Sequence, residues 1–256
     1  MTLQTLGAPY APPRTALSLE DCYFYHTMDV PGLGTVEGEW DLRGKVGQYL
    51  ADFNFAGKRA LDVGAANGIL SFHMEAMGAE VVSFDLSNEH DWDIVPFAGV
   101  DHEAQRASRR AHLAKINNGY WLCHAAHGSK ARMVHGVAYD IPAAIGPVDV
   151  AVFGSILLQL RDPFLALESA AKLAGDAIIV ADLSPSGRIG SLFRRTPRFM
   201  PRGLRNNGIN DGWYRLPPLL VREFLAILGF RNQQVTWGRY RYRDRSVPIY
   251  TIVARR

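Results

Sequence analysis

With 256 residues, 48% of them hydrophobic and 21% charged, the chain suits one globular α/β domain with additions and is too apolar to be disordered. Its formal charge of +3 is too small to argue nucleic-acid binding. Two distant cysteines, Cys22 and Cys123, suggest neither a disulfide framework nor a metal site. No apolar run approaches a membrane span, and the polar, proline-containing start is unlike a signal peptide. A reduced, cytoplasmic setting without a membrane partner is expected.

Met1 to about Ser18 carries Pro9, Pro12 and Pro13 and reads as a loose arm. Residues 1–35 are expected to form an arm and cap, and 36–256 the main domain. Cys22 to Met28 is dense and aromatic and leads into a turn at Pro31-Gly32. Glu37 to Phe55 reads as a helix, with Val46, Tyr49, Leu50 and Phe53 spaced for burial. Strands are expected at Arg59–Gly64, Glu80–Asp85, Ala131–Val134, Val148–Gly154 and Ala177–Leu183. Between them fall helices near Gly68–Met77, Glu103–Asn117 and Pro163–Leu173. This alternation indicates a Rossmann-like, doubly wound, mostly parallel sheet of seven strands. Leu216–Leu228 reads as a late helix, and Gln233–Tyr240 with Val247–Ala254 as a closing antiparallel hairpin.

An inserted block, 182–214, interrupts this order. It carries Arg188, Arg194, Arg195, Arg198, Arg202 and Arg205, and ends in Trp213 and Tyr214. Insertions at the carboxyl ends of strands often form substrate walls. The plain reading is a solvated basic loop. The sharper one is a lid recognising an anionic acceptor through arginine forks.

Ala60 to Val63 is a short buried run containing Asp62, followed at once by Gly64-Ala-Ala-Asn-Gly68 and a helical pattern. Such a loop lets backbone N–H groups and a helix dipole face a ligand closely. Asp85 lies about 20 residues beyond Gly64, the offset at which a carboxylate meets nucleotide ribose hydroxyls. Ala66 stands where a dinucleotide fold would have its second glycine, so a pyrophosphate pattern is not met.

These residues resemble the first motif of class I S-adenosylmethionine-dependent methyltransferases. The closing hairpin is typical of that family too. The resemblance implies cofactor contacts from Asp62, Gly64, Ala65, Asn67 and Gly68 at the loop, with Asp85 and Leu86 at the ribose. Tyr139 and Asp140 are implied near the adenine, Gly154 and Ser155 beneath the methyl, and Trp40 against the cofactor. Pro147 to Glu168, with Arg161-Asp162-Pro163 opening a helix, is similar to the tRNA wobble-uridine carboxymethyltransferase-like group. Glu39 to Arg43 and Trp213 to Pro218 resemble segments of that group as well. That group's Tyr-His pair is Leu158-Gln159 here.

The cofactor implied is S-adenosylmethionine, with S-adenosylhomocysteine as product. The expected activity is metal-independent methyl transfer to an oxygen or nitrogen of a small or sugar-containing metabolite. An RNA-modifying methyl- or carboxymethyltransferase, and an inactive cofactor-binding protein, are the alternatives. The histidines show no metal-ligand spacing. His26 and Glu39 are the candidate catalytic groups, and Tyr25, Gln159, Arg194, Trp213 and Tyr214 the candidate acceptor contacts. The acceptor is expected to be a small molecule, anionic if the arginines of the lid face it, and a homo-oligomer is compatible with such a domain.

Overall fold

The computed structural model describes residues 10–15, 18–191, 193–201 and 212–256. Its elements run β1 (Met28–Val30), β2 (Gly34–Val36), β3 (Trp40–Asp41), α1 (Val46–Tyr49), β4 (Arg59–Val63) and α2 (Ile69–Ala76). Then come β5 (Glu80–Asp85), α3 (His102–His127), β6 (Arg132–His135), β7 (Val148–Gly154), α4 (Pro163–Ala171) and β8 (Ala174–Leu183). The last are α5 (Gly187–Gly190), β9 (Arg198–Phe199), β10 (Tyr214–Arg215), α6 (Pro218–Ile227), β11 (Asn232–Tyr242) and β12 (Arg245–Arg255).

The main sheet has the order β3-β11-β12-β8-β7-β4-β5-β6. Strands β4 to β8 are parallel, β12 runs antiparallel beside β8, and β11 and β3 continue that side antiparallel. Successive residues of β7 and β8 alternate between two cores. Val150, Val152, Ala177 and Ile179 face the side of α1, α2 and α3, and Ala151, Phe153, Ile178 and Val180 face α4 and α6. Both faces are therefore covered, as an almost uninterrupted apolar strand requires.

The sheet has eight strands rather than seven, because β3 joins as a two-residue edge. The helix expected over Glu37–Phe55 is absent. Trp40 and Asp41 pair instead with Tyr242 and Arg241 at the tip of the β11–β12 hairpin, and only Val46–Tyr49 is helical. Gly44 at φ +67, with Ala51 and Asp52 at φ +55 and +51, breaks the helical path on either side. Val46, Tyr49, Leu50 and Phe53 are nonetheless all buried.

Helix α3 runs past Asn117 to His127 and ends on Gly128 at φ +59. The Asn117-Asn118-Gly119 run looks like a terminator, but Tyr120, Trp121 and Cys123 beyond it are buried and carry the helix on. Gly119 is needed for close approach: a Cβ there would lie 2.5 Å from Asn67 Nδ2. Tyr10 and Ala11 lie along β6, Ala11 donating to Met133 O at 2.8 Å. Cys22 and Cys123 are both free. No helix among the described residues is long and apolar enough to cross a membrane.

Candidate functional site

Strand β4 sends the chain one way to β5 and has β7 on its other side, so the strand order reverses there. In such sheets a crevice opens above the carboxyl ends of the strands at that point. A cavity of about 520 Å³ occupies it, within the size range of small-ligand sites. Gly64, Ala66, Asp85, Leu86, Gly154 and Ser155 line it, as do Gly136, Val137, Ala138 and Tyr139 after β6.

The loop after β4 is shaped by its backbone. Gly64 sits at φ +80, where an added Cβ would meet Ile156 Cδ1 at 2.3 Å. Ala66, at φ +48, donates its N–H to Asp85 Oδ2 at 2.7 Å, and Leu86 N donates to Oδ1 at 2.7 Å. Asp85 is thus fixed at the cavity floor with lone pairs to spare on both oxygens. Burial pushes its carboxyl up to about 6, with the two amides pulling the other way.

Several implied cofactor contacts are one layer further in. Asp62 is fully buried below the loop, away from the cavity lining. Its Oδ2 accepts from Ser71 Oγ at 2.6 Å and its Oδ1 has no partner, so it steadies the start of α2. Burial raises its carboxyl to about 7, Ser71 opposing and the Asp85 charge adding. Ala65 and Gly68 also lie off the lining, Gly68 capping α2 at φ +86.

Asn67 clamps the N-terminal segment instead of a ligand. Its Oδ1 accepts from Tyr25 N at 2.7 Å, and its Nδ2 donates to Tyr23 O at 2.8 Å and Ile116 O at 3.3 Å. Asp140 is exposed and outside the cavity. The wall there is formed by Gly136, Val137, Ala138 and Tyr139, whose hydroxyl donates to Asp93 and accepts from Arg161 N at 2.8 Å.

The opposite wall comes from the N-terminal segment and the hairpin tip, and here Tyr25, His26, Glu39 and Trp40 meet. Tyr25 hydrogen-bonds Gln159 across the cavity. Trp40 packs on Tyr242 with ring centroids 4.6 Å apart. Burial lowers His26 to about 4, so its ring is neutral at pH 7, and its Nδ1 has no hydrogen-bond partner. Burial pushes Glu39 up, but hydrogen bonds from Tyr23 and Tyr242 and the Arg243 guanidinium, 3.3 Å away, bring it below the ordinary value. It remains an ion-paired carboxylate, better suited to holding the wall than to taking a proton.

The acceptor contacts expected from the insertion fare less well. Arg194 is exposed and off the lining, and Arg202 and Arg205 lie outside the described residues. Trp213 is buried behind the wall, donating Nε1–H to Asp93 O at 2.9 Å under the Arg161 guanidinium. Tyr214 pairs with Phe199 in the β9–β10 ribbon and does not line the cavity. The cations on the lining are Arg109, Arg215 and Arg243. Trp92, Asp93, Met200 and Tyr242 also line it, and the last three were not singled out by sequence. They come from loops and a hairpin tip, with no motif spacing to mark them. No three His, Cys, Asp or Glu side chains gather as metal ligands among the described residues.

The cavity fits a nucleoside cofactor: a fixed carboxylate at the second strand, a backbone-lined loop at the first, and a ring and main chain after the third. No family model matches the chain. A segment of 36 residues is 58% identical to the ubiquinone biosynthesis O-methyltransferase of Burkholderia vietnamiensis, spanning 14% of this chain and only 16% of that enzyme. Among solved structures, the chain is similar to the N-terminal domain of EvdMO1 with S-adenosylhomocysteine bound (16% identity, 93% and 92% of the two chains, TM-score 0.53). It is also similar to the 1,6-didemethyltoxoflavin-N1-methyltransferase of Burkholderia thailandensis with bound 1,6-didemethyltoxoflavin and S-adenosylhomocysteine (14% identity, 83% and 77%, TM-score 0.51). Eight strands, helices on both faces and an antiparallel ending match that shared architecture, and the chain has the class I methyltransferase fold.

Proposed function

We propose that the protein is an S-adenosylmethionine-dependent methyltransferase that methylates an oxygen or nitrogen of a small-molecule acceptor without a metal. The observation that carries this is Asp85, fixed by Ala66 N and Leu86 N on the floor of the switch-point cavity with acceptor capacity left for two ribose hydroxyls. S-adenosylmethionine, when bound, supplies an activated methyl group on its sulfonium.

The chain's own residues divide the remaining work. Gly64 and Ala66 present backbone at the methionine end, and the Gly136–Tyr139 wall packs on the base. Tyr25, Trp40 and Tyr242 exclude water and hold the acceptor close. His26, uncharged and lining the same cavity, takes the acceptor's proton. Arg109, Arg215 and Arg243 support an acceptor carrying negative charge. A wobble-uridine-like RNA acceptor is the second reading, and it rests on the resemblance of the segment carrying Arg161-Asp162-Pro163, where Asp162 caps α4 through Leu165 N at 2.9 Å. It requires strongly salt-dependent RNA binding.

The test is release of S-adenosylhomocysteine from S-adenosylmethionine over a panel of phenols, amines and RNA. His26→Ala is expected to lower kcat roughly 10²- to 10⁴-fold while leaving cofactor affinity unchanged. Full activity in that variant removes the base assignment; turnover with none of the acceptors, despite cofactor binding, favours an inactive binding protein.

A further inference from the structure

Among the described residues of the insertion after β8, three large apolar side chains are exposed. Ile189 on α5 is 80% exposed, Phe193 just beyond it 84%, and Phe199 on β9 56%. Large apolar side chains exposed together mark an interaction surface. Arg188, Arg194 and Arg198 alternate with them, all exposed, and make no ion pair among the described residues. Arg195 reaches Glu223 of α6 at 3.0 Å, and one turn along that helix Ile227 is 74% exposed. This ion pair lays the insertion beside α6 and extends the patch. Met200, next to Phe199, lines the cavity, so the patch adjoins the site.

We propose that this face seats the protein on an anionic lipid bilayer, with Ile189, Phe193 and Phe199 entering the boundary between headgroups and acyl chains. The arginines meet lipid phosphates, which guanidinium forks match geometrically. The branched aliphatics Ile189 and Ile227 favour lipid over single-stranded nucleic acid, whose bases stack on rings and not on such side chains. The missing long apolar run speaks only against a spanning helix; this contact is peripheral. Seating on the bilayer does not depend on the reaction catalysed. Only its consequence, that the acceptor is an amphiphile drawn from the bilayer, rests on the methyl-transfer reading.

Full-length protein is sedimented with phosphatidylcholine vesicles, with and without phosphatidylglycerol. At low salt, partition onto the anionic vesicles is expected to exceed that onto the neutral ones by roughly tenfold or more, and to fall as salt rises. The double variant Ile189→Ser/Phe193→Ser changes only exposed side chains and is expected to lose partition by a similar factor. No partition onto anionic vesicles, or equal partition of the variant, overturns the proposal. Self-association or single-stranded RNA binding that the double variant abolishes, without vesicle binding, overturns it too. S-adenosylhomocysteine titration of the same variant is expected to match the wild type, and a failure to bind in both proteins counts against the methyl-transfer reading alone.

Discussion

At the scale of single residues, part of the site is held together by side chains that lie off the cavity lining. Asn67 is the clearest case: one buried amide ties the loop after β4 to Tyr23, Tyr25 and α3. Asn67→Ala leaves three backbone groups without that partner and is expected to cost about 1–3 kcal/mol in denaturant unfolding. The same variant is expected to make residues 18–30 more sensitive to protease, since the clamp on that segment is gone. Equal stability and equal digestion would show that the segment is held elsewhere. Sequence marked Asn67 in the loop and Asp62 on the strand before it, and the resemblance implied cofactor contacts for both. Their roles depend on which way each side chain turns, and only packing settles that.

At the scale of elements, strands β5 and β7 were legible to the residue, because apolar runs bounded by turns leave little freedom in their ends. The segment around Trp40 was not legible, because its partner is a hairpin tip some 200 residues later in sequence. No local window contains that pairing, and it brings Glu39, Trp40, Tyr242 and Arg243 to the cavity together. The wall after β6 was hard to read for another reason: Gly136, Val137 and Ala138 carry no polar side chain to mark them, whereas the neighbouring Asp140 looked like a ligand and is exposed and off the lining. Helix α3 gives a sharp test of element packing. Alanine normally favours a helix over glycine by about 1 kcal/mol. Gly119→Ala is nonetheless expected to destabilise by about 1–3 kcal/mol, because its methyl drives into the Asn67 amide. In the Asn67→Ala background the closest clash disappears and only the tight approach to Tyr23 O at 3.1 Å remains, so the two losses are expected to be non-additive. Additive values in the double-mutant cycle would place the Gly119 constraint elsewhere.

At the scale of the whole molecule, three buried carboxyls shape the response to pH, Asp85 at about 6 and two more at higher values. Burial raises Asp62 to about 7, and Asp182, 1% exposed at the end of β8, also to about 7. An unfolded aspartate titrates near 3.9, so between about pH 4 and 7 the folded chain binds more protons than the unfolded one. Stability from these groups is fully present below about pH 4 and is lost as pH rises through 7. His26 acts oppositely, but only as pH falls from about 6.5 towards 4. Thermal unfolding is therefore expected to show Tm falling from pH 6 to 8.5, and falling less in Asp62→Asn; a Tm that rises over that range contradicts the assignment. The central claim is that this fold places Asp85 under a nucleoside cofactor, and calorimetric titration with S-adenosylhomocysteine at pH 8 tests it most directly. Saturable binding to the wild type is expected, weakened roughly 10- to 100-fold in Asp85→Ala, as loss of hydrogen bonds to a charged group implies. No binding to the wild type, or undiminished affinity in Asp85→Ala, would contradict the account.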